Sequence, residues 1–175
     1  MSKKLLAVAI SAALFAAAPG CVRYHLGSML PPDIQTVFVP TVQNQTVEPF
    51  LEQDTTSAVI SQIQMDGSLK VTDEDKADAI LDVVLTRFWL APVSYASKAA
   101  STATEYRMNI TASIVLRRLS DGSVILESPS ITGYADFDYT GDLTSSKAIA
   151  LRPTAEDLGR RIVNELVMYW PEHDD

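Results

Sequence analysis

One stretch of strict alternation constrains the fold of this chain more than any other feature. Apolar side chains occupy every second position of residues 106–116, and the positions between them hold Arg107, Asn109, Thr111 and Ser113 until Val115 ends the alternation. Because successive side chains of a β-strand point to opposite faces, this period of two predicts a strand with one buried face and one solvated face. The chain must therefore contain a sheet with an apolar layer packed on one side of it.

Two amphipathic helices are predicted to form that apolar layer. Apolar residues recur at helical spacing over residues 48–65, where Gly67 follows as a stop signal. A second apolar stripe begins near residue 144 and continues to residue 169. Pro153 lies within this second stripe and leaves open whether the helix is one piece or two.

The remaining strands are short or are interrupted by proline. We predict them at residues 34–39, 69–72, 79–95 and 124–139, with a turn at 120–123 joining the alternating strand to the last one. Pro92 is expected to end the regular part of the 79–95 segment, and Pro129 predicts either a bulge or an edge position. The predicted fold is α+β: a two-layer sandwich of two helices on one face of a mixed, mainly antiparallel sheet of about four strands.

The single cysteine of the chain stands directly after an export signal. Lys3 and Lys4 precede an apolar run over residues 5–18, which is too short to span a bilayer but typical of a signal peptide. The following residues, up to Cys21, resemble the lipobox of bacterial lipoproteins, although Ala18 stands where that motif usually has leucine. This resemblance predicts lipidation of Cys21, and the absence of Asp after it favours sorting to the outer membrane. The alternative is an ordinary secretory signal followed by an incidental cysteine.

The predicted organisation is a lipoprotein signal peptide at 1–20, a lipidated tether at 21–33, one domain at 34–170 and an acidic tail at 171–175. The full chain has 14 Lys and Arg against 22 Asp and Glu. Removal of residues 1–20 would take away two lysines and no acid, so the mature chain is more acidic still. An acidic surface argues against nucleic acid as a partner.

No pattern in the chain points to catalysis. The only histidines, His25 and His173, lie near the ends of the sequence, and no phosphate-binding glycine loop or nucleophile elbow occurs. We therefore predict that the protein is not an enzyme and has no cofactor and no metal. Asp136 and Asp138 begin a segment that partly matches a calcium loop, but Lys147 replaces the glutamate that would complete it.

Four segments together resemble the LptE-like family of LPS-assembly lipoproteins: GCVRYHLGS, LPPDIQTVFVPTVQNQTVEPFLE, TEYRMNITASIVLR and TAEDLGRRIVNEL. The resemblance implies two helices on a mixed sheet of about four strands and a lipoprotein on the periplasmic side of the outer membrane. It also implies a role as plug and assembly partner of an LptD-type β-barrel, and contact with lipopolysaccharide (LPS). The alternative is a generic outer-membrane-anchored binding or scaffold lipoprotein that does not handle LPS.

The resemblance also implies candidate contact residues. Lys98 and Lys147 lie in loops that correspond to basic loops implicated in the family, and Arg117 and Arg118 are rival cations for LPS at the end of their strand. The polar face with Arg107, Asn109 and Thr111 suits contact with the polar interior of a barrel. Because the chain is acidic overall, any LPS contact requires a local cationic patch.

Overall fold

The computed structural model describes residues 30–95 and 103–168. Cys21, the signal segment, most of the tether, Lys98 and the acidic tail lie outside these described residues. Within them, helix α1 spans Leu51–Asp66 and helix α2 spans Leu143–Val167. The strands are β1 Thr36–Phe38, β2 Gln43–Asn44, β3 Lys70–Val71, β4 Ala79–Tyr95, β5 Ala103–Arg118 and β6 Val124–Asp138.

The strands form one mixed sheet with the order β3-β1-β4-β5-β6, and β2 also pairs with β4. The long strands β4, β5 and β6 are antiparallel neighbours, whereas β1 and β2 run parallel to β4. Pro40 lies between β1 and β2, where a residue without an N–H group interrupts the pairing with β4. The α+β class is confirmed, and the sheet of the described residues has six strands rather than about four.

Both helices pack on the same face of the sheet. Val59 and Ile63 of α1 and Leu158, Ile162 and Leu166 of α2 are buried together with alternate residues of the long strands. The strand side of this core is formed by Leu81, Val83, Leu85, Ile110, Ala112, Ile114 and Leu116. The predicted apolar stripes of both helices therefore form the core, and the opposite face of the sheet carries no helix among the described residues.

Gly133 allows α2 to approach β6 closely. A Cβ atom at this position would lie 2.5 Å from both Cα and Cβ of Leu158. Because no side chain fits into that distance, glycine is needed at the point where α2 crosses the edge strand.

Two prolines lie inside long elements, Pro92 in β4 and Pro153 in α2. β4 continues past Pro92 to Tyr95, so Pro92 does not end the strand, but the regular pairing with β5 does end there, because the register shifts between Pro92 and Ser94 and again before Tyr95. Proline is tolerated on a free strand edge, and beyond Leu85 no strand in the described ranges pairs with the second side of β4. Helix α2 runs as one piece through Pro153, with its buried face intact on both sides of the proline.

The turn and the edge at the other side of the sheet follow the sequence prediction. Gly122 has a φ of 73° in the turn between β5 and β6, a value that favours glycine. Pro129 and Ser130 both stand opposite Ser113, which is a β-bulge, and β6 is also an edge strand. Both readings of Pro129 are therefore confirmed.

Asp78 links the start of β1 to the start of β4 by hydrogen bonds. Its carboxylate accepts hydrogen bonds from the Thr36 hydroxyl at 2.7 Å, from the Thr36 N–H at 2.8 Å and from the Gln35 N–H at 3.1 Å. These bonds stabilise the charged form and lower the pKa of Asp78.

Candidate functional site

The sheet surface opposite the helices, called here the outer face, carries a group of aromatic and arginine side chains. Cross-strand pairing aligns Trp89, Asn109 and Tyr134 in one row across β4, β5 and β6. The row next to it contains Arg87, Thr111 and Thr132. These positions alternate with the core positions of the same strands, which places them on the side away from the helices.

The central positions of the outer face are more enclosed than the sequence pattern predicted. Asn109 retains 7% and Thr111 retains 8% of their possible exposure, so the expectation that both are solvated was wrong. Asn109 lies between the larger side chains of Trp89 and Tyr134 on the neighbouring strands. It donates a hydrogen bond from Nδ2 to the Arg107 carbonyl at 3.2 Å, and the Thr111 and Thr132 hydroxyls lie 2.8 Å apart.

Arg107 remains on the surface and is held in place by two neighbours. Its Nε and Nη2 atoms donate to the two carboxylate oxygens of Asp136 at 2.7 and 2.8 Å. Its guanidinium carbon also lies 4.4 Å from the ring centroid of Tyr134. The hydrogen bonds from Arg107 lower the pKa of Asp136, so this pair is ionised over the physiological pH range.

At the β6 edge, Asp157 of α2 connects the helix to the outer face. Its carboxylate accepts the Tyr134 N–H at 3.0 Å and the Arg161 Nε–H at 2.7 Å, and it also pairs with Arg160. Burial raises the pKa of Asp157, but these hydrogen bonds outweigh burial and the pKa is lowered. Arg161 reaches around the edge to lie 5.0 Å from the Tyr134 ring centroid.

The comparisons with known proteins identify the family. Residues 34–166, most of the chain, match the LptE family, whose description is lipopolysaccharide-assembly. The chain belongs to the LptE family. LptE proteins are non-enzymatic lipoproteins associated with the outer membrane, and LPS assembly is the role of the family. No curated protein sequence is significantly similar to this LptE-family chain.

Solved structures with low sequence identity share the LptE-family fold seen here. A protein from Xanthomonas campestris has a TM-score of 0.54 and 14% identity, covering 77% of this chain and 84% of its own. A minor lipoprotein from Acinetobacter baumannii has a TM-score of 0.52 and 13% identity, covering 77% and 91%. A protein from Chlamydia trachomatis has a TM-score of 0.52 and 9% identity, covering 77% and 98%. At these identities the similarity concerns the fold alone.

Three of the four cations predicted to contact LPS in this LptE-family chain lie in the described residues, and each pairs with a carboxylate. Lys147 Nζ lies 2.6 Å from Glu48, and Arg118 Nη2 lies 3.2 Å from Asp33. Arg117 Nε donates to Asp82 at 3.1 Å. The fourth, Lys98, lies outside the described residues.

The three predicted LPS cations that lie in the described residues do not converge on one surface. Arg117 and Arg118 end β5 opposite the first residues of β4, whereas Lys147 Nζ lies 5.9 Å from the ring centroid of Phe88, farther along β4. Phe88 pairs with Ile110, eight residues before Arg118 on β5. At about 3.3 Å per residue, the two groups are separated by roughly 26 Å along the sheet.

The aromatic residues that flank Asn109, and the arginines other than Arg107 that contact them, were not predicted as site residues from the sequence. Arg87 lies with its guanidinium carbon 4.6 Å from the Trp89 ring centroid, and Tyr134 contacts both Arg107 and Arg161. Arg87 and Trp89 could have been noticed in the sequence, because they lie in the stretch between Asp82 and Glu105, which contains no Asp or Glu.

Neither helix of the described LptE-family domain is long and apolar enough to cross a bilayer. The described part of the chain also brings together no group of three or more His, Cys, Asp or Glu side chains that could hold a metal ion. Two residues of the partial calcium-loop segment are engaged elsewhere, Asp136 with Arg107 and Lys147 with Glu48.

Proposed function

We propose that this protein is an outer-membrane lipoprotein, anchored through lipids on Cys21 and facing the periplasm, that plugs and helps assemble an LptD-type β-barrel. In this role it contacts LPS during insertion into the outer leaflet. The observation that carries the proposal is the LptE family match over residues 34–166. Cys21, directly after the export signal, supplies the attachment point for the acyl chains.

The outer face supports the part of the proposal that concerns the barrel. A plug must present polar groups to the polar interior of a barrel. On the β5 and β6 side of the outer face, Arg107, Asp136 and Tyr134 are accessible, while Asn109 and Thr111 form the floor beneath their neighbours. Contact with the barrel would therefore be made by Arg107 and its two partners, and the two buried residues would support them.

Depletion of the protein tests this function. We expect LPS to accumulate in the inner membrane or periplasm and the barrel partner to be misassembled, measured by fractionation and by the electrophoretic mobility of the barrel. A generic scaffold lipoprotein would leave LPS transport unchanged, and that result would contradict the proposal.

Complementation of the depleted cells tests the outer face. Arg107→Glu is expected to reduce co-purification of the barrel, because it places a negative charge beside Asp136 and removes the cation from Tyr134. Arg152→Glu is the matched control, since Arg152 is also ion-paired but lies on a helix, with its side chain 82% exposed. Equal capture of the barrel by both variants would exclude the Arg107 surface as the contact.

A further inference from the structure

The outer face contains a cation that the protein does not neutralise. Among the Lys and Arg residues of the described ranges, only Lys70 and Arg87 have no carboxylate within ion-pair distance. Arg87 also lies in the stretch between Asp82 and Glu105 that contains no acidic residue. In a chain with a net charge of −8, Arg87 is thus an unpaired positive charge in a segment without acidic residues.

Arg87 is held in a geometry that suits an anion. Its guanidinium carbon lies 4.6 Å from the ring centroid of Trp89. Contact with an aromatic face orients the planar guanidinium group but leaves the N–H donors in its plane available. Those donors match the oxygen atoms of a phosphate group, which arginine can bind through two parallel hydrogen bonds.

The site is open to a large ligand. β2 pairs with β4 only at Val84 and Leu85, so beyond Leu85 one side of β4 has no neighbouring strand in the described part of the chain. Arg87 is exposed and Trp89 is partly exposed on this free side. On the other side, the enclosed Asn109 and Thr111 provide a polar floor next to them.

We infer that Arg87 and Trp89 form a binding site for a phosphorylated sugar of LPS, with Arg87 binding the phosphate and the Trp89 ring contacting the saccharide. This inference rests on the proposed function and assigns the LPS contact to residues that differ from the predicted cations. Charge complementarity carries it: Lys147, Arg117 and Arg118 each pair with an acid of the protein, whereas Arg87 has its charge available.

Binding of the full-length lipoprotein, purified in detergent, to immobilised LPS tests the inference. Arg87→Glu is expected to weaken binding roughly tenfold, as for loss of one charge-assisted hydrogen-bonded contact. Lys70→Glu is the matched control, because it makes the same change of charge at the other cation of the described ranges that has no carboxylate partner, and it is expected to bind as the wild type does. Arg87→Lys retains the charge but not the planar group, and is expected to give intermediate binding.

Dephosphorylated LPS identifies the group that is bound. The wild type is expected to bind it more weakly, and Arg87→Glu should cause no further loss. If Arg87→Glu and Lys70→Glu have the same unfolding midpoint as the wild type, a folding defect is excluded as the cause of weaker binding.

Four results would overturn the inference. A phosphate contact at Arg87 would be excluded if Arg87→Glu bound LPS with wild-type affinity, or if it weakened binding of dephosphorylated LPS as much as binding of LPS. Either result would leave the proposed function intact. Loss of barrel capture with unchanged LPS binding would instead assign the Arg87 surface to a protein partner. Absence of LPS binding by the wild type would contradict the LPS contact in the proposed function itself.

Discussion

Gly133 is a residue at which the two layers of the molecule come close together. The backbone of Leu158 occupies the space that any side chain at position 133 would need. The contact depends on α2 crossing β6 at this point, so the sequence alone contains no signal that distinguishes Gly133 from a glycine in a turn.

We predict that Gly133→Ala destabilises the protein by about 3 kcal/mol, because α2 must move away from the edge strand and the core beneath it loosens. Gly159→Ala is the comparison, since a Cβ there would lie 3.0 Å from the carbonyl carbon of Ala58 and requires a smaller shift. Urea unfolding measures both variants. A midpoint for Gly133→Ala at or above that of Gly159→Ala would contradict the prediction.

The residues of β5 show what alternation predicts and what it leaves out. Alternation correctly separated the core positions, such as Ile110, from the outer-face positions, such as Asn109. It did not predict that Asn109 is enclosed, because the enclosing side chains, Trp89 and Tyr134, come from other strands. Exposure on a sheet face depends on the size of the cross-strand neighbours, which sequence spacing within one strand does not contain.

At the scale of elements, the ion pair between Glu48 and Lys147 connects the segment before α1 to the first turns of α2. The two side chains are 15% and 23% exposed, so each depends on the other for compensation of its charge. A partner 99 residues away cannot be identified from the sequence. The family resemblance placed Lys147 in a loop before the last helix as a candidate LPS contact, whereas the structure places it within α2 and paired with Glu48.

Lys147→Ala is predicted to destabilise the protein by about 2 kcal/mol, because it leaves the Glu48 carboxylate uncompensated in a partly buried position. The double variant Lys147→Met with Glu48→Gln should regain most of that loss in thermal or urea unfolding. Arg152→Ala, which breaks an exposed pair within α2, should cost less than about 0.5 kcal/mol. If Lys147→Ala has the same free energy of unfolding as the wild type, the pair contributes little to stability.

The prolines are a second case in which the sequence alone does not predict the structure of an element. A proline is a strong local signal, but its effect depends on whether the N–H group that it lacks would have had a partner. Pro92 lies on a part of β4 with a free side, and the buried face of α2 continues on both sides of Pro153. The number and type of the long elements could therefore be predicted from the sequence, whereas their continuity at the prolines required the tertiary structure.

At the scale of the whole molecule, the proposed anchor determines where the domain can act. Cys21→Ala is predicted to leave export intact but to remove the acyl chains, so that mass spectrometry finds no lipid on the mature N-terminus. Because two or more chains are needed for stable anchoring, the variant should also be extracted from membranes under conditions that retain the wild type.

Ala18→Leu, which restores the usual residue of the lipobox, is the matched variant for Cys21→Ala and should retain lipidation. A wild-type protein whose mature N-terminus carries no lipid would contradict the anchor and favour an ordinary secretory signal.

The ion pair between Arg118 and Asp33 lies at the end of the sheet where β5 ends and β4 begins. It holds the beginning of the described chain beside the first residues of β4, because Arg118 pairs with Ala79. Arg87 lies eight residues farther along β4, or about 26 Å at 3.3 Å per residue. The point from which the tether leaves the domain and Arg87 are thus separated along β4 by a distance close to the hydrocarbon thickness of a bilayer, about 30 Å.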